Sequence, residues 1–235
     1  MNTVIHRASD RGKGDYGWLT TRYSFSFADW YNPARTGFGK LLVINDDQIS
    51  PDNGFGMHQH RDMEIITIVM KGTLTHKDSI GNTGTIGAGE VQVMSAGTGV
   101  AHSEYNASTS EVLELFQIWI LPKTLGIAPR YAQAKIPTVG EDELTLLVGP
   151  EGTREGLNIN QDAYISKATI NAGKSLLYTM HVEGNGIYLL VVSGSVGMDG
   201  ETLFARDAMG ITDAAAVEIR ALEASELLII EVPMR

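Results

Sequence analysis

Four residues of this chain combine the right types and the right spacing for metal chemistry: His58, His60, His102 and Glu104. They form two pairs, each spaced i, i+2, in GFGMHQHRDMEIITIVMKG (54–72) and GEVQVMSAGTGVAHSEYN (89–106). In a strand, side chains at i and i+2 share a face roughly 6–7 Å apart, close enough to converge on one ion. Two such strands facing each other would offer three imidazoles and one carboxylate. Neutral imidazole is the commonest nitrogen ligand, and an N3O set leaves open positions on a five- or six-coordinate ion. A closed structural zinc site would instead draw on Cys and His. Open positions point to catalysis. Spacing alone leaves the carboxylate undecided, because Glu64 (i+4 from His60) and Asp62 have the same parity. His6, His76 and His181 have no such partners in sequence and are expected to be ordinary strand histidines.

The elements that must position these residues are strands. KLLVI (40–44), closed by a turn at NDD, and IITIVM (65–70), TLTHKD (73–78), VQVM (91–94) and VLELFQIWI (112–120) all have strand character. SFSF (24–27) alternates as a half-buried strand would. The aromatic residues between Tyr16 and Tyr31 are expected to plug one end of the β core. Residues 123–140 lose the strand rhythm, carry two prolines and are expected to be a linker. Strands then resume at LTLLV (144–148), AYISKATI (163–170), SLLYTMHV (175–182), IYLLVV (187–192), AVEIRAL (216–222) and ELLIIEV (226–232).

The two halves look like copies. IVMKGTL (68–74) matches LLVVSGSV (189–196) around Gly72 and Gly194, and LELFQIWI (113–120) resembles ELLIIEV (226–232). Such a duplication predicts two similar antiparallel barrels, residues 1–130 and 131–235. In that alignment His58 and His60 fall opposite Met180 and Val182, and His102 and Glu104 fall among Ala214–Val217. The second half therefore lacks the ligands and is expected to be scaffold.

Composition narrows the class. The 235 residues are 43% hydrophobic and 20% charged, ordinary for a globular protein. A formal charge of −10 argues against a direct nucleic-acid surface. There is no cysteine, hence no disulfide and no thiolate ligand. No apolar run approaches 18 residues and MNTVIHRASDRGKG has no apolar core, so a cytoplasmic protein that does not enter the membrane is expected.

HQHRDMEIITIVMKG resembles the first cupin motif (HxH, three residues, Glu, then Gly), and GEVQVMSAGTGVAHSEYN resembles the second, with His102 and Asn106 in place. The Gly before HxH is not at the usual spacing, and Ser95 stands where many cupins have Pro. With RGKGDYGWLTTRYSFSFADWYNP (11–33), AGTGVAHSE (96–104), IWILP (118–122) and PRY (129–131), the chain resembles the pirin family. That resemblance implies an all-β bicupin of two antiparallel jelly-roll barrels, 1–130 binding metal and 131–235 without ligands. It implies one divalent metal, usually Fe(II), with Cu, Mn, Co, Ni or Zn as alternatives. The family's ligands carry over to His58, His60, His102 and Glu104, favouring Glu104 over Glu64. It further implies a quercetin 2,3-dioxygenase that opens a flavonol ring with O2 and releases carbon monoxide, with Glu104 taking the hydroxyl proton. The rival implication is a metal- or redox-sensing regulator that docks on a protein partner.

Overall fold

The computed structural model of the chain describes residues 1–137 and 140–235. Among these, the only helical segment is a 3-10 turn at Ala8–Asp10, and no helix is long and apolar enough to cross a membrane. The strands form four sheets in two sets. The first set is a seven-stranded sheet in the order Arg130–Lys135, Glu90–Ser95, Glu64–Lys71, Leu113–Ile120, Leu41–Ile49, Leu19–Tyr23, Gly12–Asp15, with a four-stranded sheet of Gly54–His60, Val100–Asn106, Thr73–Asp78 and Thr83–Gly87. The second set repeats the pattern: Asn2–His6, Ala208–Thr212, Asn185–Ser193, Ser225–Pro233, Tyr164–Ile170, Glu143–Pro150, Leu157–Ile159, with Ser175–Thr179, Ala216–Ala221, Ser195–Met198 and Glu201–Phe204. This is an all-β, duplicated jelly-roll fold of the cupin kind, built from open sheets. Gly72 and Gly194, the anchors of the internal repeat, share φ of 80° at equivalent strand turns. A Cβ at Gly194 would meet the Ala224 carbonyl oxygen at 2.3 Å, so both the backbone sign and the space demand glycine there.

One strand of each repeat is exchanged. Asn2–His6 pairs with Ala208–Thr212 in the second set, and Arg130–Lys135 pairs with Glu90–Ser95 in the first. The two seven-stranded sheets also pack on each other. Phe25, Ile44, Ile66, Ile68, Phe116 and Ile118 form one core with Ile165, Tyr188, Leu190, Leu228 and Ile230. Each such side chain contributes roughly 1.5–3 kcal/mol on burial. Asp46 reinforces the joint, pairing with Arg11 at 3.2 Å and with Arg206 of the second half at 2.8 Å. Strands in this position are buried on both faces, which is why they read as continuous apolar runs rather than alternating ones.

Several expectations need correction. The strand at KLLVI does not turn at NDD but runs on to Ile49, with Asn45 and Asp47 buried. SFSF is not a strand; Ser24 and Phe25 are buried and Phe27 sits in a small bridge with Trp30. The segment expected to be a linker, of which Thr138 and Val139 lie outside the described residues, contains the strand Arg130–Lys135. Ala132, which packs on the core between the two seven-stranded sheets, is too small to announce a buried face. The aromatic residues do not act as one plug: Phe25 packs against Tyr188 between the halves, Trp18 packs on Phe55, Phe27 on Trp119, and Tyr31 is exposed.

Candidate metal centre

The four-stranded sheet of the first half carries the histidines. His58 lies directly opposite His102 across the ladder, His102 opposite Asp78, and Glu104 opposite His76. A bulge sets Phe55 opposite Glu104, so that three steps along one strand match two along the other. Such a bulge re-aims side chains while keeping the pairing. The His58 and His102 ring centroids are 4.4 Å apart, His58 and His60 4.8 Å, and His60 and His102 5.0 Å. The ligand atoms of these three all lie within 4.8 Å of one another, and so do those of a second trio, His76, His102 and Glu104. His102 and Glu104 are thus joined by a buried histidine that spacing had set aside. Its Nε2 is 3.3 Å from Asp78 and its ring stacks on Tyr131 at 4.5 Å. Glu64 and Asp62 are engaged elsewhere. Glu64 accepts from Ser95 Oγ at 2.6 Å and from the Asn160 amide at 3.2 Å, while Asp62, in a turn, accepts from the Gly126 amide at 2.7 Å.

The seven-stranded sheet presents a polar row to this site. Asn45, Gln117, Thr67 and Gln92 are successive cross-strand partners. Gln92 Nε2 donates to Glu104 Oε1 at 2.9 Å and Gln117 Nε2 donates to Oε2 at 2.8 Å. Thr67 Oγ1 lies 3.3 Å from the same Oε1. Tyr131 extends the network by donating to Gln92 Oε1 at 3.1 Å. Burial pushes the Glu104 carboxyl above its ordinary range, opposed by His76, Gln92, His58 and Thr67. Each of these amides or hydroxyls stands alone in an otherwise apolar stretch (IITIV, VQVM, LFQIWI). That solitary polar residue is the signal that spacing rules for ligands pass over.

The residues suit a metal. Both ring nitrogens of His102 are buried without a protein partner, a cost that a bound ion removes. His58 Nδ1 lies 2.8 Å from the Gly56 carbonyl oxygen, so it carries the proton and leaves Nε2 free as a ligand. Burial lowers the pKa of His102 to about 3, with His58, His60 and His76 adding repulsion, and that of His60 to about 4, with help from His58. Both rings are therefore neutral and ready to bind at pH 7. Glu104 uses three of its roughly four acceptor positions on the row and keeps capacity for a cation. These side chains open on a cavity of about 170 Å³ whose other walls are Phe27, Phe55, Trp119, Asn45, Asp47 and Gln117.

Residues 5–120 match the family model described as Pirin, and residues 146–232 match that of the quercetinase C-terminal cupin domain. A protein of Escherichia coli named quercetin 2,3-dioxygenase is 40% identical over 229 residues, 97% of this chain and 98% of that one. A pirin-like protein of Caulobacter vibrioides is 43% identical over 222 residues, 94% and 95% of the two chains. Among solved structures, the bacterial pirin YhhW of Escherichia coli in complex with nickel(II) superposes with a TM-score of 0.93 at 39% identity, covering 99% of each chain. Two jelly rolls in one chain, a histidine cluster confined to the first, and these matches along nearly the whole length lead to one conclusion: the chain belongs to the pirin family of cupin proteins.

Proposed function

We propose that the chain is a metal-dependent dioxygenase that opens the ring of a flavonol such as quercetin with O2 and releases carbon monoxide. The observation that carries this reading is the buried, partnerless His102 between two further imidazoles at the head of an aromatic-walled cavity. His58, His60, His102 and Glu104 would hold one divalent metal, Fe(II) in the first instance. When bound, that ion supplies Lewis acidity toward a substrate that offers adjacent hydroxyl and keto oxygens. Phe27, Phe55 and Trp119 orient a planar ring and exclude water, and Gln92 and Gln117 fix the Glu104 carboxylate. Likeness to proteins named quercetin 2,3-dioxygenase supports the substrate class.

The size of the cavity favours a second reading. At about 170 Å³ it falls short of the roughly 300 Å³ at which pockets enclose drug-sized ligands. A metal- or redox-sensing regulator that docks on a protein partner needs no larger one. The deciding experiment is metal-free protein reloaded with Fe(II), or with Ni(II), Cu(II), Mn(II), Co(II) or Zn(II), and exposed to quercetin in air. Carbon monoxide and a depside in stoichiometric yield support the enzyme. Fully loaded protein that gives no carbon monoxide from any flavonol overturns it in favour of the regulator.

A further inference from the structure

The cavity holds a second buried carboxylate besides Glu104. Asp47 is 3% exposed, lines the same space as His58, His60, His102 and Glu104, and sits at an inward position two residues from Asn45 on Leu41–Ile49. The two carboxylates are bonded very differently. Both Glu104 oxygens are met by donors from the polar row, which stabilise its charged form and leave it about one acceptor position, the one a metal ligand needs. Asp47 Oδ1 is buried and meets no donor, and Asn45 Oδ1 beside it is equally unmet. Its strand neighbour Asp46 carries the salt bridges to Arg11 and Arg206, and among the described residues no ion pair reaches Asp47. A buried carboxylate with an unmet oxygen, in the wall of a cavity, is costly unless something brings it a proton or a hydrogen bond.

We infer that Asp47, rather than Glu104, accepts the proton of the substrate hydroxyl, leaving Glu104 to serve as a ligand. This rests on the proposed reading that a hydroxyl-bearing substrate enters the cavity. The substrate O–H bond breaks, its electron pair stays on the substrate oxygen, and the proton becomes bound to the Asp47 carboxylate. The surroundings suit that role. Burial raises the Asp47 carboxyl to about 7, Thr21 and Arg11 opposing and Asp46 and Glu104 adding repulsion. A general base works best when its pKa lies near the working pH.

The test counts protons as well as product. Metal-loaded protein is mixed without O2 with quercetin or with 3-hydroxyflavone, whose hydroxyl is un-ionised in solution at pH 8, in weak buffer at that pH containing a pH indicator. Absorbance reports whether the bound ligand is ionised. Wild type should bind the ligand as its anion with little proton released, because Asp47 keeps it. Asp47→Asn should retain its metal, and should either release about one proton per ligand or bind the ligand un-ionised. In air it should lose turnover by roughly 10²-fold or more. Asp47→Glu, which returns a carboxylate, should restore proton retention in part. The inference is overturned if wild type releases a full proton, binds neither ligand as an anion, or matches Asp47→Asn in both the proton count and the ionisation of the bound ligand. Absence of carbon monoxide from wild type with an intact proton count would sink the flavonol reading alone.

Discussion

Gln117 Nε2 donates to Glu104 Oε2 at 2.8 Å, across the interior from the seven-stranded sheet to the histidine sheet. This bond ties the carboxylate to a residue whose immediate strand neighbours, Phe116 and Ile118, are apolar. Gln117→Leu removes the donor and leaves Oε2 buried and unmet. The variant should bind Ni(II) about 10–100-fold more weakly. Competition against a chelator would measure it, and an unchanged affinity would show that Glu104 needs no such support.

One ion per chain is expected, because the second half offers no equivalent cluster among its described residues. His102→Ala should abolish tight binding, and wild type should melt at a higher temperature with metal than without. Elemental analysis that finds two tightly held ions per chain would contradict this.

His6 is buried with Nδ1 3.0 Å from the Tyr188 hydroxyl, and burial, aided by Arg35, lowers its pKa to about 4. The unfolded chain therefore binds a proton below about 6.5 that the folded chain refuses until about 4. Stability from the neutral ring is present above 6.5 and is lost as pH falls toward 4. Relative to His6→Asn, wild type should lose a few kcal/mol over that interval. Urea titrations of both proteins from pH 7 to 4 would show it, and a constant difference would refute it.

Asp47 has the opposite sign. With its folded pKa raised to about 7, it imposes no cost below about 4, where both states are protonated. The cost grows as pH rises from about 4 to 7, where only the unfolded chain has lost the proton, and is complete above 7. Metal-free Asp47→Asn should therefore be more stable than wild type at pH 8 and equal to it near pH 3.5. A variant less stable at pH 8 would mean that the charge is compensated in the fold.

Gly39 has φ of 54°, and a Cβ there would lie 2.3 Å from the Pro233 carbonyl oxygen. Both the backbone and the neighbour resist a side chain. Gly39→Ala should cost at least roughly 1–3 kcal/mol, visible as a lower melting temperature.

Much of this was legible in the residues. The i, i+2 pairs anticipate the facing of His58 and His102, and the Gly72/Gly194 repeat anticipates two jelly rolls. What escaped was the opposite wall. Asn45 and Asp47 sit in NDD, a string that reads as a turn because nothing in it shows that a sheet will bury alternate members. Thr67, Gln92 and Gln117 each interrupt an apolar stretch, and only pairing aligns them into a row. His76 escaped because its partners, Asp78 aside, come from other strands: Glu104 lies opposite across the ladder and Tyr131 belongs to the exchanged strand.

The exchange of Asn2–His6 bears on how the chain is made. Asn2–His6 leaves the ribosome long before the edge it completes, Ala208–Thr212, has been synthesised. His6 cannot reach Tyr188, nor Arg7 its partner Asp207, until those distant residues have emerged. The histidine sheet, by contrast, is complete once Asn106 has emerged, and the imidazoles of His58, His60 and His102 can meet well before that docking. The candidate site can thus assemble while Asn2–His6 still waits for a place, and docking of that strand becomes a late event of maturation.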